Sequence, residues 1–203
     1  MADDEQALVA RIAADDQEAL RILYTRYRPR LWRYLWRRLD GDAGAVEDAM
    51  QATWLAVWRG APGYQPRGQV AAWIFQIAHR HVAHLRRDTS RALEGRLRPR
   101  ALDAEDDEVL SAVNETGSHE ERVLDRLALV EALRALSPAH REVLELVFHH
   151  GFALAEVAQI LDIPLGTVKS RVSYARRALA TAFAAIDSDP TTTGSTSREE
   201  TKR

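Results

Sequence analysis

Lys169, Arg171, Ser173, Tyr174, Arg176 and Arg177 crowd nine consecutive positions of a 203-residue chain. The set offers ammonium and guanidinium donors, hydroxyls and one aromatic ring. The chemistry open to it is recognition. Cations neutralise phosphate, and an Arg or Lys can donate to the O6 and N7 edge of guanine. To act together these side chains must project from one face of a rigid element, and the flanking sequence Gly151–Arg177 supplies one. Leu154, Val157, Ala158 and Leu161 recur at helical spacing. Asp162-Ile163-Pro164 then interrupts: Pro164 pushes Ile163 out of helical geometry, and Asp is one of the few non-glycine residues that tolerates a left-handed turn. A second helix is predicted from about Leu165, with Val168, Val172, Ala175 and Leu179 inward and the basic set outward. Ala158 is small where the two helices approach closely. The pattern is that of a helix-turn-helix, whose second helix reads a major groove. An antiparallel helical pair with an ordinary solvated basic face is the alternative.

The formal net charge of -2 is unexpected for a nucleic-acid binder, and the distribution explains it. Residues 1–100 carry 17 Lys and Arg against 12 acids; residues 101–125 carry one Arg against nine; residues 126–186 carry seven against five. An acidic stretch therefore masks two basic modules, and the near-neutral total predicts weak nonspecific DNA affinity for the free chain. A hydrophobic content of 46% is ordinary for a globular chain, and the length allows one or two small domains. The acidic start MADDEQ is not a signal peptide, and no apolar run approaches the ~18 residues of a membrane span. With no cysteine there is no disulfide or thiolate site. A soluble cytoplasmic protein is the simplest expectation.

Residues 5–39 read as helices, with Leu8, Ile12, Leu20, Leu23, Tyr27, Leu31 and Leu35 inward and Pro29 kinking or dividing them. Gly41–Gly44 is a break. Residues 45–59 form the next helix, with Val46, Met50, Trp54, Val57 and Trp58 as its core stripe and Glu47, Asp48 and Gln51 off it. Two prolines and three glycines make residues 60–68 a loop. Residues 70–88 are helical, with Trp73, Ile74, Ile77, Ala78 and Leu85 inward and Arg80, Arg86 and Arg87 outward. Residues 89–121 lack apolar periodicity and read as a flexible acidic linker. Helix resumes near Arg122 with Val123, Leu127, Val130, Leu133 and Leu136. Ser137-Pro138 starts another helix that ends at Gly151. The tail 187–203 is polar and expected to be disordered.

No catalytic constellation is present: there is no GxxxxGK[ST], GxGxxG or GxSxG, and His119-Glu120-Glu121 lacks its second His at Val123. His79, His81 and His84 have no neighbouring acid or cysteine in a ligand pattern, so phosphate-contacting or solvated histidines are the reading, not a metal site. No enzyme activity, catalytic residue, metal or cofactor is expected.

The run IPLGTVKSR resembles region four of bacterial sigma factors of the extracytoplasmic-function (ECF) group. The similarity extends across LSPAHREVLELVFHHGFALAEVAQILDIPLGTVKSR, with Asp162 where glycine is usual. VEDAMQATWLAVWRG is similar to the region-two helix that docks on the clamp coiled coil of core RNA polymerase, which implies Asp48, Gln51 and Trp54 as contacts; Ala52 stands where the family usually has an acid. AAWIFQIA followed by LRR resembles the promoter-melting helix. The resemblance implies an all-α chain of two small domains, region two over 5–88 and region four over 122–186, joined by the linker.

It further implies that the 60–69 loop holds a base flipped from the minus-ten element. Tyr64, Gln65 and Arg67 there offer a stacking face, an amide edge and a cation. Trp73, Arg80, Arg86 and Arg87 complete that set. The run from Ala78 to Leu85 is one residue shorter than usual, which leaves His79, Arg80 and His81 as alternatives for one DNA-facing position. For the minus-thirty-five element the resemblance adds Ser170 to Lys169, Arg171, Ser173 and Tyr174, with Arg176 and Arg177 expected on phosphate. Core RNA polymerase, promoter DNA and an anti-sigma factor are the implied partners. A stand-alone helix-turn-helix regulator and a protein-binding adaptor are the competing readings. The tryptophan-rich 45–88 stretch opposes the first and the basic helix opposes the second.

Overall fold

The computed structural model describes residues 2–65, 68–92, 130, 132, 133 and 135–187, and every regular element among them is helical. α1 (Ala2–Ala13) and α2 (Gln17–Arg38) are separated at Ala14–Asp16. Asp15 takes a left-handed φ of 62°, and the Asp16 carboxylate caps α2 by accepting from the Glu18 and Ala19 amides at 2.9 and 3.1 Å. Those hydrogen bonds, with Arg11 beside it, hold the Asp16 carboxyl below its ordinary value.

The division expected at Pro29 does not occur, because α2 runs through it unbroken. Pro29 is exposed, whereas Leu23, Tyr27, Leu31, Tyr34 and Leu35 form one buried stripe on both sides of it. Burial of that stripe outweighs the local cost of the missing amide. Arg26 of α2 reaches Asp4 and Glu5 of α1 at 3.0 and 3.1 Å, and the Tyr27 hydroxyl donates to Glu5 at 2.7 Å.

α3 (Ala43–Gly60) is capped by Asp42, which accepts from the Ala45 amide. A 3-10 turn (Ala61–Gly63) leads into the loop, and α4 spans Val70–Ala92. Four residues expected in the linker, 89–92, therefore belong to α4. The remaining linker positions, and the helix expected from Arg122, fall outside the described residues as far as 129. On α4 the inward stripe is Ala71, Ile74, Phe75, Ala78 and Val82. Leu85, expected inward, is 36% exposed, while Phe75, which the sequence reading left out, is fully buried. The stripe drifts around the helix, so a position one turn past Val82 lies closer to solvent.

α5 (Pro138–Leu144) begins with proline at its first position and Ser137 before it. The last turn before Gly151 is a π turn, Glu145–His149, closed by the His150 amide donating to the Glu145 carbonyl. Gly151 terminates it with φ +69°, a conformation glycine adopts without a Cβ penalty. α6 (Leu154–Leu161) and α7 (Leu165–Asp187) follow. The tail beyond 187 lies outside the described residues.

The chain forms two compact units: Met1–Ala104 with Glu145–Lys169, and Glu105–Leu144 with Ser170–Arg203. The first holds α1 to α4, the π turn, α6 and the first residues of α7. The second has its own small core of Leu136, Leu144 and Ala175, against which Leu133, Ala178 and Leu179 pack.

Candidate nucleic-acid interface

The turn between α6 and α7 fixes the direction in which the basic helix leaves. Asp162 sits at φ 54°, ψ 48°. Its amide bonds the Gln159 carbonyl, and the Ile163 amide reaches back to the Ala158 carbonyl at 3.1 Å. These two bonds satisfy the last carbonyls of α6 in a Schellman arrangement, with Asp162 in the place usual for glycine. Pro164 then contributes its carbonyl to the Thr167 and Val168 amides, which starts α7. At its other end α6 is secured by Glu156, whose carboxylate accepts from the Ala153 amide at 2.8 Å.

On α7, Val168 and Ala175 are fully buried and Val172 and Leu179 partly so, as expected. Lys169, Ser170, Ser173, Tyr174, Arg176 and Arg177 are exposed, and Arg171 is half-buried. Tyr174 stacks on His140 of α5 at 4.5 Å and 29°. The His140 ring in turn meets the Ser137 hydroxyl at 2.6 Å. That chain fixes the Tyr174 ring while leaving half of it open to solvent.

The loop and the start of α4 make a second, recessed feature. The Tyr64 and Trp73 rings lie 4.7 Å apart, tilted by 48°, and the Tyr64 hydroxyl donates to the Gly68 carbonyl at 3.3 Å. A cleft of about 420 Å³ opens beside them, lined by Gly63, Tyr64, Gln65, Gln69, Trp73, Gln76 and Gln159. Burial pushes the Tyr64 hydroxyl above its ordinary pKa, so it stays a donor. The lining supplies π faces and amide edges, the groups that stack on and hydrogen-bond to an unpaired base. Arg80 and Arg86 are exposed on α4. Arg67 and the Arg87 side chain lie outside the described residues. His79 turns inward to the Tyr34 hydroxyl at 3.1 Å, and His81 is half-buried and held below its ordinary pKa by that burial and by His84. Of the three alternatives, Arg80 is the exposed one.

On α3, Asp48 and Gln51 are exposed. Trp54 is 7% exposed, meets Tyr24 edge-on at 5.2 Å, and buries its indole Nε1 without a hydrogen-bond partner among the described residues. Leu55, one turn from Gln51, is 48% exposed and was missed by the sequence reading. An apolar residue breaking out of the core stripe beside Gln51 was its only signal.

The sequence reading also missed a buried polar cluster that joins α2 to the π turn. Arg38 donates to Glu145 at 3.1 Å, with their side chains 4% and 9% exposed, and Arg37 lies 3.9 Å from the same carboxylate. Arg30 donates to the His150 carbonyl at 2.6 Å and lies over the Phe75 and Phe152 rings. Burial alone would raise the Glu145 carboxyl, but Arg38, His150 and Arg37 outweigh it and hold it below the ordinary value. His150, enclosed by Tyr34, Phe75 and Phe152, is pushed below its ordinary pKa by burial. Removing one partner of such a buried pair costs about 3–5 kcal/mol.

Comparison with known proteins matches both halves of this geometry. The sequence pattern of Sigma-70 region 2 matches residues 23–92, and that of Sigma-70, region 4 matches residues 132–181. The chain is similar to the ECF RNA polymerase sigma factor SigL of Mycobacterium tuberculosis, with 34% identity over 174 residues, 85% of this chain and 93% of the relative. It is 31% identical over 180 residues to the ECF RNA polymerase sigma factor SigK of Mycobacterium sp. (strain KMS), covering 87% of this chain and 89% of the relative. The fold is also that of the sigma factor RpoE from Bartonella quintana, solved with the anti-sigma factor NepR. The TM-score is 0.58 and the identity 23%, over 81% of this chain and 96% of that one.

Proposed function

The chain belongs to the sigma-70 family, in its extracytoplasmic-function branch, and from that premise we propose how its parts divide the work. As a sigma factor it binds core RNA polymerase and directs promoter-specific transcription initiation. The exposed Asp48–Gln51–Leu55 face of α3 meets the polymerase clamp, with Trp54 setting that face from beneath. The Tyr64–Trp73 cleft takes an unpaired base of the minus-ten element, and Arg80, Arg86 and Arg87 of α4 follow its backbone. α7 enters the minus-thirty-five major groove, with Lys169, Ser170, Arg171, Ser173 and Tyr174 toward base edges and Arg176 and Arg177 on phosphate. The domain limits 5–88 and 122–186 and the intervening linker form part of this reading.

One observation carries it. The same chain holds both a recessed aromatic cleft suited to unpaired bases and an exposed basic helix suited to duplex. A regulator that only binds duplex has no use for the cleft. The role is one of binding, exercised in the cytoplasm where the polymerase works, and we assign no reaction to the chain. An anti-sigma factor that covers the polymerase-binding face is the expected antagonist.

Run-off transcription with core polymerase on genomic fragments tests the reading. New discrete starts that require this protein are expected. Duplex binding without core, and no new starts, would return the chain to the stand-alone regulators.

A further inference from the structure

Tyr174 is the one aromatic ring in the basic set of α7, and a second helix backs it. The His140 ring of α5 lies 4.5 Å from the Tyr174 ring, at 29° to it. His140 is itself held, because its Nδ1 meets the Ser137 hydroxyl at 2.6 Å. The two helices are fixed beneath this stack. Ala175, next to Tyr174, is fully buried in the small core with Leu136 and Leu144, so α7 cannot turn about its axis against α5. Imidazole therefore covers one face of a ring that still leaves Tyr174 53% exposed. An aromatic side chain on a lone helix would have to be ordered when it binds; here much of that ordering is already present in the free chain.

We propose that His140 is a positioning residue that makes Tyr174 a reader of thymine, so that base recognition in the minus-thirty-five element is shared between α5 and α7. The inference rests on the placement of α7 in that major groove and adds which base one of its residues selects, and through which support. The chemistry of the groove points to thymine. Base edges there present donors, acceptors and a single kind of apolar group, the thymine C5 methyl. Lys169, Ser170, Arg171 and Ser173 are suited to the donors, acceptors and phosphates. The open part of a ring clamped on its other face is suited to the methyl. Without His140 the ring is free to swing away from the groove, and the methyl contact is lost while the cationic contacts of α7 persist. The support is a flat ring, and its proton is not required, so phenylalanine at 140 keeps the stack.

Sequence selection by the full chain bound to core polymerase tests the inference. A duplex library randomised across both promoter elements is amplified once with thymidine triphosphate and once with deoxyuridine triphosphate, which lacks the methyl. The native chain is expected to enrich thymine at one minus-thirty-five position by about fourfold, the worth of one buried methyl group. Tyr174→Ala identifies that position by losing the preference there. In uracil DNA the native preference at the same position should vanish; a preference that survives intact overturns the methyl contact. His140→Ala should lose it in thymine DNA, and His140→Phe should restore it, with preferences elsewhere and the salt slope unmoved. Equal thymine enrichment in native and His140→Ala overturns the positioning role. So does a loss in His140→Ala spread over every position, which marks a merely structural residue. If His140→Ala does not fold, His140→Leu, similar in bulk without a flat ring, takes its place under the same criteria. A native chain that selects no sequence with core sinks the sigma reading, and the same selection with the chain alone then judges His140. No enrichment in either form overturns both.

Discussion

The two regions we assign to nucleic acid are built on opposite plans. The cleft at the start of α4 is recessed, aromatic and amide-lined, with its aromatic pair fixed by a hydroxyl–carbonyl bond. The face of α7 projects, is cationic, and holds one ring, Tyr174, stacked on His140. The difference fits the target proposed for each. An unpaired base offers a π face and a bare edge, so a pocket that excludes water gains from stacking. A paired base offers only its groove edge, so donors must reach outward from a rigid helix.

The cleft is the more demanding of the two, and the largest effect is expected there. Replacing Tyr64 and Trp73 together with alanine removes stacking worth about 1–3 kcal/mol per base. Initiation should fall by on the order of 10–100-fold while core binding and duplex binding persist. Loss of duplex binding instead would break the division of labour. Next, Arg171→Ala should cost about 1–3 kcal/mol of discrimination at one base pair. Promoter selection measured against a library of minus-thirty-five variants would show relaxed preference at a single position, with unchanged core binding. A preference that does not move would take Arg171 out of the reading set.

Acid should act on the cleft side and spare α7. His150 is held below its ordinary pKa by burial, and Glu145 is held below its own by Arg38. The groups facing them are Arg30, Arg37, Arg38 and His149, with the Tyr34 ring beside His150. For each, the unfolded state binds the proton more readily than the packed state. The contribution of His150 is therefore complete above about pH 6.5 and is lost as pH falls below it; that of Glu145 is complete above about 4.5 and is lost as pH falls through its lower folded value. Hydrogen exchange along 145–161 should quicken as pH drops below 6.5, after correction for intrinsic rates. His150→Phe should abolish that first step. A smaller and different signature belongs to α7: Arg176→Ala should reduce the salt slope of duplex binding by about 1, with no change in sequence preference.

The local parts of this design were legible in the sequence. The stripes of α2 and α3, the Ser137-Pro138 start, Gly151 as a stop and the turn at Asp162 all follow from spacing and from residues with restricted or permissive backbones. What escaped was set by partners distant along the chain. Nothing in the neighbourhood of Arg38 or Glu145 announces that they meet, because 107 positions separate them. Pro29 misled because its local cost is visible and the buried stripe that overrides it is a property of the packed domain. Leu85 and Phe75 were exchanged because a small error in helical phase grows along a helix as long as α4. For the candidate site, Trp54 is buried as its place in the core stripe predicts, whereas the exposure of Leu55 beside it was not readable.

The smallest expected effect concerns the turn that aims α7. Asp162 holds a left-handed conformation at φ 54°. For an L-residue this costs on the order of 1–2 kcal/mol, less for Asp than for alanine. Asp162→Gly relieves that cost but adds freedom to the unfolded chain, so a net gain of under about 1 kcal/mol is expected. Asp162→Ala should lose about 1 kcal/mol. Denaturant melts of the two variants, compared at equal m-value, measure the pair of shifts. Both variants keep every side chain of the reading face, so promoter preference should stay constant while stability moves in opposite directions. If Asp162→Gly changes preference at the minus-thirty-five element, the carboxylate itself takes part in reading. The turn would then join α7 as a recognition element, and the contrast between a cationic helix and an aromatic cleft would need an acidic third component.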